Sequence, residues 1–198
     1  MRPMSQQFLL ATNNQHKIEE VKAILPEINW ETPKNFPELN DFSPEETGKN
    51  FAENAEIKAR AFAAKTGLVT VAEDSGLEVK ALNNRPGVYS ARWREGSDDD
   101  RNQAILKLIE EKPDRTARYV ATICVYDPKT DEAHFFKGMV VGQIAMESKG
   151  IAGFGYDPIF IPDGYQQTFG ELGSEIKHQL SHRKKAFEQF AEWLNERS

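Results

Sequence analysis

Two acidic residues directly follow an apolar run in this chain. Residues 69–77 read Val-Thr-Val-Ala-Glu-Asp-Ser-Gly-Leu, which places Glu73 and Asp74 where a predicted strand ends. Carboxylates beside buried strand residues are costly unless a cation or a metal ion compensates them. Strand ends in α/β proteins are also common ligand sites, and Mg²⁺ binds carboxylate oxygens directly. The pattern predicts either a metal site or a solvated polar turn, and by itself it does not decide between them.

Two predicted helices begin with cations, although the partial positive charge of a helix N-terminus favours acidic residues. Lys17 lies in the first turn of the helix that follows Asn14. The last helix opens at residues 181–185, Ser-His-Arg-Lys-Lys, with a serine that suits the N-cap. A bound anion would turn this unfavourable placement into a favourable one. The two helix starts together indicate an anion site.

A lysine interrupts the apolar face of the helix predicted from about residue 50 to residue 65. Phe51, Ala55, Lys58 and Phe62 are spaced four, three and four residues apart, so they share one face. A lone lysine in such a position usually extends its ammonium group to water. Because two cationic helix starts accompany it, we interpret Lys58 as directed at phosphate.

A glycine-rich loop carries an aromatic ring followed by a carboxylate. Residues 153–158 read Gly-Phe-Gly-Tyr-Asp-Pro. A flat purine ring stacks well on an aromatic side chain, and glycine lets the backbone approach a ligand closely. Such loops are also ordinary turns, so the pattern is a weak indication of a base-binding loop.

Composition limits the classes of protein that the chain can belong to. The 198 residues, 39% of them hydrophobic, suffice for one domain with a substantial core. A net charge of −6 disfavours stable binding to nucleic acid but allows a local anion pocket. Residues 1–7 lack the apolar core of a signal peptide, and no run is long enough to span a bilayer. With Cys124 as the only cysteine, we expect a soluble cytoplasmic protein with a buried strand thiol.

Apolar periodicity and turn residues predict alternating strands and helices. We predict helices over residues 14–25 and 50–65, after the acids at 98–100, and from residue 182. We predict strands at residues 8–11, 28–31, 68–72, 77–82, 119–126, 133–141 and 142–147, with a surface loop at 32–47. The three acids at 98–100 match the dipole of a helix N-terminus and are not interpreted as a metal site. The order predicts a mixed α/β fold.

Six short motifs follow one another along nearly the whole chain. They lie at residues 11–17, 46–59, 73–77, 86–92, 153–158 and 181–183. In this order they resemble the motifs of the inosine triphosphate pyrophosphatase family, whose members hydrolyse non-standard purine nucleoside triphosphates.

The resemblance implies a role for each matching residue. Asp74 would be the catalytic base, and Glu46 and Asp74 would bind Mg²⁺. Thr12, Asn14 and Lys17 at the start of the first helix would hold the phosphates together with Lys58 on the second. Within the same first motif, further substrate contacts would be Asn13, Gln15 and His16. The other substrate contacts would come from Ser75, Phe154, Gly155, Tyr156, Asp157, Lys177, His182 and Arg183. Among these, Phe154 would stack on the base, and Lys177, His182 and Arg183 would read the purine edge.

The resemblance also implies a fold and an activity. The expected fold is an elongated, curved mixed β-sheet flanked by helices, forming a single domain over residues 1–198. Its two lobes would hold the nucleotide in a central cleft, and the protein would form a homodimer. The expected reaction converts ITP, dITP or XTP to the monophosphate and pyrophosphate with Mg²⁺. This reaction would keep such nucleotides out of DNA and RNA.

Two alternatives stay open from the residues alone. The chain could be a pyrophosphatase for other modified nucleotides, or a nucleotide-binding module without catalysis. Specificity for oxo-purines has a physical basis, because their 6-oxo group accepts hydrogen bonds and the 6-amino group of adenine donates them. The sequence does not explain how guanine would be excluded, and it leaves the role of Glu73 open.

Overall fold

A computed structural model describes residues 7–197 of the protein. The predicted absence of a signal peptide rests on residues 1–7 and so falls almost entirely outside this range. The α-helices are α1 Gln15–Ile24, α2 Phe51–Thr66, α3 Asp98–Leu108, α4 Phe169–Leu180 and α5 His182–Glu196. The strands are β1 Phe8–Leu10, β2 Trp30–Glu31, β3 Val69–Val79, β4 Arg85–Pro86, β5 Thr116–Asp127, β6 Glu132–Ile144 and β7 Phe160–Pro162.

The seven strands form one mixed sheet that is flanked by helices. Its order is β2-β1-β3-β5-β6-β7, and β4 pairs with β3 outside this path. Strand β1 runs parallel to β2 and β3, whereas β4 is antiparallel to β3 and β7 is antiparallel to β6. The predicted α/β class with a mixed sheet is confirmed.

The chain divides into two compact units. The described residues of the first unit are 7–74, 121–138 and 183–197, and those of the second are 75–120 and 139–182. Strands β3, β5 and β6 contribute residues to both units, so each long strand contributes to the packing of both.

In the first unit, alternate strand residues enter different cores. Phe8, Leu10 and Val71 pack with residues of α1 and α5. Leu9 and Ala72, each adjacent to one of those residues, pack instead with residues of α2. Successive strand side chains point to opposite faces, so the sheet of this unit is covered on both sides.

The second unit has one core cluster. It contains Leu77 and Val79 of β3, Tyr119 of β5, Phe160 of β7 and Phe169 of α4. Tyr119 packs against both phenylalanine rings, with centroids 4.8 Å and 6.4 Å away. The aromatic packing fixes the position of β5 relative to α4, which carries Lys177.

Two sequence predictions about elements were wrong, and one helix was not predicted. Strand β3 continues without interruption from Val69 to Val79, so Glu73 and Asp74 lie in its middle and not at its end. Strand β6 likewise runs through to Ile144, where two strands were predicted. Helix α4 was not predicted, because Gly170 and Gly173 weaken its helical pattern, and Gly173 has non-helical torsions within it. Backbone pairing within the sheet outweighs the polar side chains of β3.

The single cysteine has the buried strand position that the sequence predicts. Cys124 lies in β5 with 0% of its surface exposed. Burial raises the pKa of its thiol to about 12. The thiolate is the nucleophilic form, so Cys124 is a packing residue of the first unit.

Gly76 is required by the space available to it. A Cβ atom at this position would lie 2.4 Å from the carbonyl oxygen of Gly87 and 2.4 Å from Oγ of Ser90. The same Ser90 Oγ accepts a hydrogen bond from the Leu77 amide at 2.9 Å and donates to the Gly87 carbonyl at 2.6 Å. Strand β3 therefore packs tightly against the segment after β4.

We predict that Gly76→Ala destabilises the fold by about 1–3 kcal/mol, the usual cost of overpacking. The added methyl group must displace backbone and not a flexible side-chain end. Urea unfolding of the variant beside the parent protein measures the change. An unchanged midpoint and slope would show that the segment around Gly87 yields without cost.

Candidate functional site

One lysine of the first unit contacts two carboxylates. Nζ of Lys58 in α2 lies 2.9 Å from Oε1 of Glu46 and 3.4 Å from Oδ1 of Asp74. Glu46 precedes α2, and Asp74 lies in the middle of β3. The structure thus brings together the residue predicted as a phosphate ligand and both residues predicted as metal ligands.

Asn54 holds the second oxygen of Asp74. Its Nδ2 donates to Oδ2 of Asp74 at 3.1 Å, and its Oδ1 accepts from the Gly48 amide at 2.8 Å. Asn54 is fully buried and precedes Lys58 by one helical turn, so both side chains lie on the same face of α2. The sequence analysis assigned Asn54 no role. The available signal was this spacing, since a buried asparagine needs hydrogen-bond partners.

Burial is the largest effect on Asp74 and raises the pKa of its carboxyl group. Lys58 and Lys17 oppose the effect of burial, whereas Glu46 adds to it. The net direction is upward, so the two lysines do not fully compensate the anion. A further cation beside Asp74 would therefore be favourable.

The donor set around Lys58 fits Mg²⁺. Two carboxylates, from Glu46 and Asp74, already converge on one cationic group. Within residues 7–197 no cluster of three or more acidic, histidine or cysteine side chains could hold a metal ion. Two carboxylates are enough for Mg²⁺, because its usual sites combine one or two of them with water and substrate phosphates.

The other acid of the pair belongs to a separate, buried ion network. Arg183 donates from Nε and Nη2 to the two oxygens of Glu73 at 2.6 Å and 2.8 Å, and from Nη1 to Glu20. Nζ of Lys17 lies 3.4 Å from Glu73. Burial lowers the pKa of Arg183, but the two carboxylates outweigh it and the net shift is upward. The guanidinium therefore stays charged in the core.

The start of α1, where an anion site was predicted, is capped by the side chain of Asn14. Oδ1 of Asn14 accepts from the Lys17 amide at 3.3 Å, and Oγ1 of Thr12 accepts from the Asn14 amide at 3.2 Å. The first turn contains no acid, and burial lowers the pKa of Lys17 despite the opposing effect of Glu73. Asn13, Gln15 and His16, which were also predicted as substrate contacts, are exposed on this turn.

Asp157 organises the predicted base-binding loop in the second unit. Its Oδ2 accepts from the Phe154 amide at 2.8 Å and from Nζ of Lys177 at 2.7 Å. Its Oδ1 accepts from the Tyr119 hydroxyl at 3.3 Å. Nζ of Lys177 also lies 4.0 Å from the centroid of the Phe154 ring. The structure brings these three predicted residues together and adds Tyr119, which the sequence analysis did not name.

Three further predicted residues lie in the second unit. The His182 ring stacks on Tyr119 at a centroid distance of 4.8 Å and an interplanar angle of 6°. The Tyr156 hydroxyl donates to the Ser90 carbonyl at 2.8 Å, and Ser75 is half-buried next to Asp74 in the chain. Arg183 follows His182 directly but belongs to the ion network of the first unit.

Lys58 with Glu46 and Asp74 forms a candidate phosphate site, and the loop at residues 153–158 is a candidate site for a flat ring. The fold and these groups together describe an α/β protein that could bind a ligand with phosphate groups and a flat ring. The chain belongs to the Ham1 family, whose model matches residues 8–193. This family membership confirms the resemblance drawn from the six motifs.

Named relatives cover nearly the whole chain. A dITP/XTP pyrophosphatase from Symbiobacterium thermophilum is 46% identical over 195 residues, covering 96% of this chain and 96% of that protein. One from Agrobacterium fabrum is 41% identical over 203 residues, covering 93% and 94%. The solved Ham1 protein of Staphylococcus aureus has a TM-score of 0.88 at 38% identity, covering 98% of this chain and 100% of its own. That of Coxiella burnetii has a TM-score of 0.89 at 38% identity, covering 97% and 100%.

We predict that Asp74→Asn lowers turnover by about 10²–10⁴-fold, the usual contribution of a positioned acid–base group. The stability of the folded protein should not decrease. Because the folded-state pKa of Asp74 is raised, its ionised form costs stability at neutral pH, and the amide removes this cost. Turnover and thermal unfolding at pH 7 test both parts. Near-normal turnover would remove Asp74 from the chemistry, and a large drop in stability would contradict the electrostatic assignment.

We predict that Glu73→Gln lowers the free energy of unfolding by about 3 kcal/mol, because it leaves buried Arg183 with one carboxylate partner. Glu56→Gln is the matched control. It breaks the partly exposed pair with Arg60 one helical turn away and should cost less than about 1 kcal/mol. Urea unfolding compares the two variants. Equal losses would show that the buried network contributes no more than a surface pair.

Proposed function

We propose that this protein hydrolyses non-standard purine nucleoside triphosphates, namely ITP, dITP and XTP, to the monophosphate and pyrophosphate. Its role would be to keep these nucleotides from incorporation into DNA and RNA. The observation that carries the proposal is the contact of Lys58 with both Glu46 and Asp74 in a chain of the Ham1 family. The names of its dITP/XTP pyrophosphatase relatives support the same substrate class.

In the proposed reaction, a water molecule attacks the α-phosphorus. The bond between the α-phosphorus and the oxygen that bridges it to the β-phosphate then breaks, and pyrophosphate leaves with that oxygen. Asp74 would accept the proton of the water, while Lys17 and Lys58 would balance the negative charge of the departing pyrophosphate. Mg²⁺ held by Glu46 and Asp74 would supply further positive charge at the phosphates.

Two contacts support Asp74 as the base. Lys58 and Asn54 each hold one of its oxygens, so the carboxylate has a fixed orientation. A fixed carboxylate needs little reorganisation when a water is placed beside it.

Three of the four proposed purine contacts, Phe154, Lys177 and His182, lie in the second unit, and Arg183 lies in the first. We propose that Phe154 stacks on the base and that Lys177, His182 and Arg183 provide donors for the 6-oxo group. Adenine would then face donor with donor, at about 1–3 kcal/mol for each mispaired contact. To donate to the base, Arg183 would have to do so while it keeps its ion pairs to Glu73 and Glu20.

We further propose that residues 1–198 act as one catalytic domain, in a cytoplasmic homodimer without stable nucleic-acid or membrane association. None of the helices in the described range is both long and apolar enough to cross a membrane. Light scattering in solution tests the dimer, and a mass equal to one chain would contradict it.

Pyrophosphate release from ITP, dITP, XTP, ATP and CTP, with Mg²⁺ and with EDTA, tests the activity. We expect the first three to be hydrolysed at least about 30-fold faster than ATP, the ratio for two mispaired contacts. EDTA should abolish release. No turnover with any nucleotide would favour a binding module, and preference for CTP would indicate a pyrophosphatase for other nucleotides.

A further inference from the structure

Both backbone polar groups of Gly155 are held by side chains of one helix. Oδ2 of Asp98 accepts from the Gly155 amide at 2.7 Å, and Nδ2 of Asn102 donates to the Gly155 carbonyl at 3.1 Å. Asp98 and Asn102 are one turn apart in α3, so they lie on the same face. Gly155 has a φ of +63°, a region that other residues rarely adopt. The two side chains therefore stabilise an unusual backbone conformation within the predicted base-binding loop.

The contact of Asp98 with the loop is not needed to start the helix. The N-terminus of α3 is closed by a capping box, in which Ser97 and Asp100 satisfy each other's backbone amides. Asp100 accepts from the Ser97 amide at 2.7 Å, and Ser97 accepts from the Asp100 amide at 3.2 Å. Asp98 takes no part in the capping box: its Oδ1 pairs with Nη2 of Arg101 at 2.5 Å, and its Oδ2 accepts from the Gly155 amide. The sequence analysis explained all three acids by the helix dipole alone.

Burying the side-chain amide of Asn102 is energetically unfavourable, and packing alone does not explain why this residue is there. It is 1% exposed, and its Oδ1 is buried with no hydrogen-bond partner within residues 7–197. A buried amide with an unpaired oxygen is less favourable than an apolar side chain of similar size. The property that an apolar residue would lack is the hydrogen bond to Gly155.

The held glycine is adjacent to the predicted stacking residue. The Phe154 amide donates a hydrogen bond to Asp157, and Gly155 is the next residue in the chain. Fixing both the Phe154 amide and the two polar groups of Gly155 restricts the backbone torsions that set the direction of the aromatic ring. A loop fixed before binding loses less conformational entropy when a ligand arrives.

We propose that Asp98 and Asn102 are positioning residues that hold the Phe154–Gly155 backbone ready for a purine. This inference rests on the proposed function, since it assigns the second unit to base binding. It makes a distinct statement about kinetics. Both residues bind the backbone of the Phe154–Gly155 loop and not the reacting phosphates, so their loss should raise the KM for ITP and leave kcat nearly unchanged.

Four variants test the two hydrogen bonds. Asn102→Asp keeps the size of the side chain but replaces the donor with a carboxylate facing the Gly155 carbonyl. Asp98→Ala removes the acceptor at a half-exposed position, where the fold tolerates change, and Asp98→Asn retains an acceptor oxygen. The matched control, Asp99→Asn, removes the same charge at the same helix end from an exposed residue.

We expect Asn102→Asp and Asp98→Ala to raise the KM for ITP by about tenfold, with kcat within about twofold. Asp98→Asn should recover most of the loss, and Asp99→Asn should match the parent protein. Hydrogen exchange of the Gly155 amide should be about tenfold faster in Asp98→Ala. Thermal unfolding of each variant shows whether a change in KM reflects loss of folded protein.

The outcomes separate this inference from the proposed function. A parent protein that hydrolyses no nucleotide overturns the proposed function. A parent protein that hydrolyses ITP beside an Asp98→Ala variant with unchanged KM overturns the positioning role alone. If Asn102→Asp lowers both kcat and thermal stability without raising KM, Asn102 has a structural role only.

Discussion

The alternation of side chains along strand β3 is the constraint on which the first unit depends. Glu73 and Asp74 are neighbours in a continuous strand, so their side chains point to opposite faces of the sheet. The face of Glu73 carries α1 and α5, and that of Asp74 carries α2. The direct ion pairs divide accordingly: Glu73 pairs with Arg183 and Lys17, and Asp74 pairs with Lys58, while the charge of Lys17 also acts on Asp74.

This division gives the two acids different electrostatic environments. Arg183 binds Glu73 with two parallel hydrogen bonds, a geometry that holds both charges firmly in a buried site. Asp74 has one lysine at 3.4 Å and one neutral amide, and its pKa is raised by burial. A carboxylate compensated by strong pairing is poorly suited to accept a proton or to bind a metal ion. Incomplete compensation keeps Asp74 suited to both.

Periodicity and turn residues predicted the mixed sheet and four of the five helices, and the family resemblance implied that Lys58, Glu46 and Asp74 serve one site. They did not predict the partners of Glu73 or the role of Asn54. Arg183 contacts Glu73 across 110 residues of sequence, and Asn54 contacts Asp74 across 20. Such pairs depend on tertiary packing, which local patterns do not encode. The continuity of β3 was missed because polar residues in mid-strand resemble the end of a strand.

The loop at residues 153–157 in the second unit shows that a sequence typical of an ordinary turn can form a specific structure. In the Gly-Phe-Gly-Tyr-Asp segment, a Cβ atom on Gly153 would lie 2.1 Å from Oδ2 of Asp157. That oxygen accepts from both Phe154 and Lys177, so the glycine makes room for the hydrogen bonds that orient the aromatic residue. Gly153 and Gly155 both have a positive φ, +77° and +63°, and the backbone of Gly155 is held by side chains of α3. The two glycines therefore serve different purposes, and a turn that needs both is more than a flexible connection.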